Sequence, residues 1–318
     1  MENQQLLPSH ASWESTLRCP LRCKHCGLDA GDSRPQELST AESKRMLSTL
    51  NKFGIDHLII SGGEFTYRED WREIISFALP LFKTIRIITS GWLGKKLFAE
   101  LGKIKETDNL IISVSLDGLK ERHDSRRGAG SFAKVLETMQ YDSYIPKTVL
   151  TTVDNLNIHD CLDVLKLCLE LNINSWSIQI SLPAGRMKSE LFLGQEKIII
   201  LAEAIVSWQK KFDNRIEILP DDCFANLISA RQQKPWNGCR AGKDLITILN
   251  DGSITGCPTM GIIGAGNIKT DSLEKIWNSK TMENLRQGKP SECLTCNKCP
   301  GGCKAISQLF NQQFCLTI

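Results

Sequence analysis

The chain has 318 residues, 41% of them hydrophobic, and its 39 basic and 36 acidic side chains leave a formal charge of +3. That length buries a full core in one large domain or two, while the near balance of charge offers no basic face of the kind that grips nucleic acid. No basic N-terminal run leads into an apolar stretch, and nowhere do about 18 apolar residues fall together, so neither a secretion signal nor a membrane span is expected and the protein reads as cytoplasmic.

From the N-terminus, the first stretch that carries chemistry is Cys19-Pro20-Leu21-Arg22-Cys23-Lys24-His25-Cys26, three thiols at C-x3-C-x2-C on one short loop. A cubane iron–sulfur cluster is normally held by four cysteines, so three on a loop leave one iron open to chemistry. A structural zinc site is the simpler alternative. Zinc wants a closed tetrahedron, however, and the one extra donor nearby, His25, sits beside Cys26 and would strain to share its metal. Of the 13 cysteines, ten fall into metal-ligand spacings rather than a scattered disulfide framework.

Next, Ser39-Thr40-Ala41-Glu42 forms a capping box that opens a helix ending near Gly54. Strands are then expected at His57–Ser61, Thr84–Thr89, Leu110–Leu116, Lys147–Val153 and Ser175–Ser181, each short, rich in Ile and Val, and bounded by turn residues. Helical patterns at Ser131–Tyr141, Asn157–Leu171 and Gln195–Phe212 lie between and after them. With a strand leading into Cys19 these make six βα units, which implies a parallel sheet with right-handed crossovers. The fold class is α/β: a partial (β/α)6 TIM-like barrel over residues 1–220, followed by a small cysteine-rich domain over 221–318.

Barrel chemistry belongs at the C-terminal ends of strands. Gly62-Gly63-Glu64, Ser90-Gly91, Ser115-Leu116-Asp117-Gly118 and Pro183-Ala184-Gly185-Arg186 follow four of them, with Arg126-Arg127-Gly128 a little beyond the third. Two adjacent glycines let backbone approach a ligand closely; the plain alternative is a turn. Cys161 and Cys168 share one helical face with Val164, Leu165 and Leu169 and read as buried core. A further strand at Arg215–Leu219 ends at Pro220-Asp221-Asp222-Cys223. Three roles stand open for Cys223: a hydrogen-atom donor to a substrate radical with Asp222 or Asp221 handling protons, a fourth cluster ligand, or an inert buried thiol.

Beyond Pro220 the composition shifts. Cys239 is followed by two short strands, Leu245–Leu249 and Ser253–Thr255, around an Asn250-Asp251-Gly252 hairpin turn, and Cys257 completes C-x12-G-x4-C. Cys293, Cys296, Cys299 and Cys303 then make C-x2-C-x2-C-x3-C, the bacterial ferredoxin spacing in which the fourth cysteine reaches another cluster, and Cys315 follows. A paired zinc ribbon is the alternative.

The Cys19–Cys26 loop, the Gly62-Gly63-Glu64 turn and the run from Ser115 to Phe132 together resemble the radical S-adenosylmethionine (radical SAM) superfamily, and the C-terminal field resembles its SPASM extension. The resemblance implies an enzyme in which the open iron chelates S-adenosylmethionine and one electron releases a 5′-deoxyadenosyl radical that takes a hydrogen atom from substrate. It also implies Gly62, Gly63 and Glu64 at the cofactor's amino group, Ser90, Ser115 and Asp117 along its ribose or methionine end, and Arg127 at its carboxylate. Three 4Fe–4S clusters are expected: one on Cys19, Cys23 and Cys26, one on Cys293, Cys296, Cys299 and Cys315, and one on Cys239, Cys257 and Cys303. The ferredoxin-like stretch departs from the extension, which usually has five residues where only Asn297 and Lys298 stand, and the third set lacks a fourth cysteine.

The substrates implied are a ribosomal peptide precursor that is epimerised or crosslinked, or a small molecule such as an aminoglycoside, with a flavodoxin or ferredoxin as reductant. Only 18 residues precede Cys19, so a peptide is expected to dock on the barrel or on a leader-peptide-binding partner. The contrasting class is an iron–sulfur electron carrier, which has no need of the glycine turn or the Ser115 region.

Overall fold

The computed structural model describes residues 7–32, 36–259, 264–287 and 302–309. Its strands are β1 His10–Glu14, β2 His57–Ser61, β3 Thr84–Thr89, β4 Leu110–Ser115, β5 Lys147–Val153, β6 Ser175–Ile180, β7 Glu217–Pro220, β8 Leu245–Ile248, β9 Ser253–Thr255 and β10 Gly266–Asn267. The helices are α1 Thr40–Lys52, α2 Trp71–Ala78, α3 Gly94–Leu101, α4 Lys120–Arg127, α5 Ser131–Met139, α6 Cys161–Glu170, α7 Gln195–Phe212, α8 Ala225–Arg231, α9 Leu273–Trp277, α10 Lys280–Gln287 and α11 Lys304–Leu309.

All ten strands join one sheet in the order β10-β9-β8-β1-β2-β3-β4-β5-β6-β7. From β8 to β7 every pairing is parallel, beginning with His10 opposite both Leu245 and His57. The order is linear, so the barrel is partial and keeps an open seam between its ends. The expected βα units are present. In addition, the C-terminal strand β8 adds directly to β1, so the sheet continues across the boundary expected at residue 220.

Alternation along the strands sorts their side chains into a helix-side layer and an inner one. In β3, Ile85 and Ile87 are fully buried toward the helices while Arg86 and Ile88 on the other face are half-buried toward the lumen. Trp13, Ile60, Ile112, Val149 and Trp176 continue the helix-side layer, packed with Leu47, Ile75, Phe98 and Leu165. The capping box at Ser39 and Glu42 forms in both directions. Gly54, at φ 98°, lets the chain leave α1 after Phe53.

Candidate active site

The cluster loop leaves β1 through Ser15–Arg18 and is held from three sides. Glu37 accepts hydrogen bonds from the Leu17 amide and the Thr16 hydroxyl, at 2.7 and 2.9 Å. The turn after β2 packs against the same segment backbone to backbone: Gly63 N–H donates to Thr16 O at 2.7 Å and Glu64 N–H to Arg18 O at 2.8 Å. A Cβ on Gly62 would stand 2.5 Å from Thr16 O, and one on Gly63 2.3 Å from Arg18 O. The two glycines therefore seat the strand that delivers Cys19, a reason for glycine that differs from the ligand approach expected from sequence.

On the second side, Arg186 reaches the loop from the end of β6. Its Nε donates to Cys23 O at 2.9 Å, its Nη1 to Ala30 O and Asp29 Oδ1, and its amide to Cys26 O. Gly185, at φ 55°, allows this approach, since a Cβ there would lie 2.5 Å from Cys26 O. On the third side, Lys24 N–H donates to Arg126 O in α4.

Glu64 is fully buried, and its carboxylate accepts from Ser90 N–H and Oγ at 2.9 and 2.6 Å, from Thr89 Oγ1 at 3.0 Å and from Thr66 Oγ1 at 3.2 Å. Ser90 and Glu64 are thus brought together, with the Glu64 charge within reach of Cys19. Burial pushes the Cys19 thiol up to about 12 and the Glu64 charge adds to it, so this thiol ionises only where a metal or a cation takes the proton's place. Burial also raises Cys23, against the nearby Arg127 guanidinium.

Asp117 and Arg127 are brought together as a buried ion pair. Asp117 has no exposed surface: Oδ2 accepts from Arg127 Nε at 2.6 Å and faces His25 Nε2 at 3.2 Å and Arg126 Nε at 3.7 Å, while Oδ1 accepts from Thr152 N–H at 3.0 Å. Burial alone would raise this carboxyl; Arg127, His25 and Arg126 outweigh it and hold it well below the usual aspartate range. Its lone pairs are committed to protein partners, and its observed task is to tie α4 and β5 to the cluster loop through His25. Arg127 uses Nε on Asp117 and lies within electrostatic reach of Cys23 and Cys26. Burial lowers His25 to about 3 and His123 to about 4, so both imidazoles are neutral. Ser115 ends β4 and is nearly buried.

Sequence reasoning missed Asp117's partnership and the clasp of Arg186, because each joins segments far apart in the chain. Asp117 to Thr152 spans 35 residues and Arg186 to Cys23 spans 163. A charged residue in an apolar strand end was the one available signal.

A half-open cavity of about 330 Å³ lies on the inner face of the sheet, lined by His10, His57 and Thr84 at the starts of β1, β2 and β3 and by Arg86, Gln179 and Asp221. Cys223 is buried with its Sγ 3.7 Å from Cys303 Sγ. Asp222 is raised to about 6 by burial and then by Asp221. Cys239 and Cys257 are buried or half-buried near Cys303, whereas Cys293, Cys296, Cys299 and Cys315 lie outside the described residues. Cys161 and Cys168 pack in the core of α6, as expected. All nine described cysteines are free thiols, and among the described residues no three His, Cys, Asp or Glu side chains converge on a single metal ion. An all-thiol donor set on a loop clamped from three sides fits an iron–sulfur cluster.

Two family models match the chain: the radical SAM superfamily over residues 13–168 and SPASM, an iron–sulfur cluster-binding domain, over 239–300. Among curated proteins, the AdoMet-dependent heme synthase of Nitratidesulfovibrio vulgaris is 28% identical, covering 92% of this chain and 86% of its own. The antilisterial bacteriocin subtilosin biosynthesis protein AlbA of Bacillus subtilis is 29% identical over 95% of this chain and 68% of its own, and the mycofactocin maturase MftC of Mycobacterium ulcerans 27% over 94% and 83%. The solved structure of Streptococcus suis SuiB bound to S-adenosylmethionine shares the fold at a TM-score of 0.77 with 18% identity, covering 95% of this chain and 74% of that one. With both models matching in the order and at the places where the thiol loop and the thiol field stand, the chain belongs to the radical SAM superfamily and carries a SPASM domain.

Proposed function

We propose that this protein is a peptide-modifying radical SAM enzyme of the cytoplasm that oxidises a ribosomally made precursor, forming a crosslink. The observation that carries the reading is the convergence of the Cys19–Cys26 loop, the Glu64–Ser90 pair and Arg127 at the C-terminal edge of the sheet. When bound, S-adenosylmethionine on a cluster held by Cys19, Cys23 and Cys26 supplies a 5′-deoxyadenosyl radical that removes a hydrogen atom from substrate. Glu64 takes the cofactor's ammonium group, Ser90 and Ser115 flank the bound molecule, and Arg127 takes its carboxylate. Two auxiliary clusters, on Cys239, Cys257 and Cys303 and on Cys293, Cys296, Cys299 and Cys315, complete the cofactor set, and a flavodoxin or ferredoxin supplies electrons.

The relatives named for bacteriocin biosynthesis and for mycofactocin maturation support a peptide substrate. Crosslinking is favoured over epimerisation because Cys223, the thiol weighed as a hydrogen-atom donor, is buried with its Sγ 3.7 Å from Cys303 Sγ. Relatives named as heme synthases support a second reading, in which the lumen takes a small molecule.

The test is anaerobic turnover with a reductant and the peptide encoded beside the gene. The expected outcome is 5′-deoxyadenosine and a peptide two hydrogens lighter. Replacing Cys19, Cys23 and Cys26 together by Ala should remove one cluster's iron and all cofactor cleavage. A product of unchanged mass carrying one deuterium from heavy water would mean epimerisation instead, and absence of 5′-deoxyadenosine would leave the electron-carrier reading.

A further inference from the structure

Arg86 is a cation that the cofactor site does not use. It stands half-buried on the inner face of β3, in the wall of the cavity that begins at His10, His57 and Thr84. Ser90 is four residues further along, about 13 Å at the rise of a strand. None of Cys19, Cys23, Cys26, Glu64, Ser90 or Arg127 lines this cavity. The geometry points to a second binding site here, in which Arg86 takes the carboxylate of a ligand with an apolar body. The site stands independently of the reaction proposed above.

The neighbours of Arg86 pose it for such a ligand. Its Nη1 donates to Ser113 Oγ at 3.1 Å, and Ser113 Oγ is 2.7 Å from Thr148 Oγ1, so a chain of hydroxyls fixes one end of the guanidinium. The other edge, Nε and Nη2, has no partner among the described residues. A free guanidinium edge meets a carboxylate with two parallel hydrogen bonds. The acidic groups around it leave that place open. Asp221 lies three strands away on the far wall, with its Oδ1 taken by the Asp222 amide at 2.7 Å, and Glu217, exposed at the start of β7, acts on Arg86 only through space. Arg240, also on the wall, is already paired with Asp244 at 2.6 Å. Burial lowers the Arg86 guanidinium from its ordinary value, and a charge withdrawn from water without a counter-charge is costly. A bound carboxylate offsets that cost.

The remaining wall describes the rest of the ligand. Ile59, Ile88, Ile111 and Leu150 present apolar surface, and the rings of His10 and His57 stack with centroids 4.5 Å apart where the cavity begins. At about 330 Å³ the space is at the small end of the range of about 300–1,000 Å³ typical of small-molecule sites. One unpaired cation among apolar side chains matches a single carboxylate on a hydrocarbon body, whereas a phosphate or a dicarboxylate would leave charge unmatched. A free monocarboxylic acid and an acidic side chain of a bound polypeptide both offer that chemistry.

The test is calorimetric titration of the full chain with its clusters, in the presence of S-adenosylmethionine, using hexanoate, its neutral isostere hexanamide, and N-acetylglutamate α-amide. Hexanoate is expected to bind wild type about tenfold to a hundredfold more tightly than hexanamide. Arg86→Gln should bring hexanoate down to the level of hexanamide, and Arg86→Lys should keep part of the difference, because it retains the charge and loses the planar fork. Tighter binding of N-acetylglutamate α-amide than of hexanoate would assign the carboxylate to a polypeptide side chain, and the reverse to a free acid. Equal affinity of wild type for hexanoate and hexanamide, no binding of either carboxylate, or undiminished hexanoate affinity in Arg86→Gln would overturn the site. The comparison within wild type decides the matter if Arg86→Gln does not fold. Since no readout requires turnover, such a failure leaves the proposed reaction standing.

Discussion

Glu64, proposed above to take the cofactor's ammonium group, is already held in place by the protein. Five hydrogen bonds from Thr66, Thr89 and Ser90 fix its carboxylate while it stays fully buried. A charge-assisted hydrogen bond contributes about 1.5–3 kcal/mol, which is about tenfold to a hundredfold in affinity. Glu64→Gln keeps the shape and removes the charge, so S-adenosylmethionine should bind about that much more weakly by calorimetry, with iron content unchanged; equal affinity would take Glu64 out of the cofactor site. At this scale the sequence was informative wherever the chemistry is local. The cysteine spacings of the first loop could be read directly, whereas the packing of Gly62 and Gly63 on Thr16 and Arg18 and the bond from Ser90 to Glu64 join separate strands and could not. The pairing of Asp117 with Arg127 could not, because nothing in Ser115-Leu116-Asp117 says which of several cations will fold onto it.

Among elements, the Asp117 network decides how firmly the loop is presented. Asp117 on the turn after β4 joins Arg126 and Arg127 of α4 to His25 of the loop, and Arg126 continues to Asp154 and Thr152. Removing one partner of a buried pair costs about 3–5 kcal/mol, because the other charge is left uncompensated. Asp117→Asn should lower stability by that order in denaturant titration; a change below 1 kcal/mol would mean the network is not cooperative.

The same elements set an acid limit. His123 Nδ1 accepts from the Asp117 amide at 3.1 Å, so the ring must be neutral. Burial depresses His123 to about 4, and unfolding returns it to about 6.5. The unfolded chain therefore binds the extra proton, and stability should fall as pH drops from 6.5 towards 4. Asp117, held below its ordinary 3.8, adds a further loss below that value. Melting temperatures that stay flat from pH 7 to 4 would contradict this. Strands and long helices were legible because their apolar period is written locally. α7 falls at Gln195–Phe212 as expected, while the helix expected over 157–171 begins later, at Cys161, after a 3-10 turn in which Asn157 bonds Asp117 O and Thr152 O.

At the scale of the whole molecule, the SPASM side of the chain is part of the barrel's own sheet. Ile246, Ile248 and Ile254 are buried in the common core. Each contributes about 1.5–3 kcal/mol, and β8 covers the edge of β1 that faces away from β2. A chain ending at residue 220 should therefore melt roughly 10 °C lower than the full protein, at about 2–4 °C per kcal/mol, or associate through the bare edge of β1. A monomer of undiminished melting temperature would show that the two parts are independent. The sequence pointed to two domains because the cysteine field and the βα pattern differ in composition; the pairing of His10 with Leu245 is a long-range event that no local pattern encodes.

The linear sheet with its open seam also imposes an order on biosynthesis. On the ligand assignment proposed here, the first cluster's three thiols emerge from the ribosome within one loop, and Arg186 completes the clasp while α7 and everything after it are still to be made. The auxiliary set of Cys239, Cys257 and Cys303 is complete only once Cys303 has been made. A nascent chain can thus be loaded with its radical-generating cluster before the auxiliary one has a place to form.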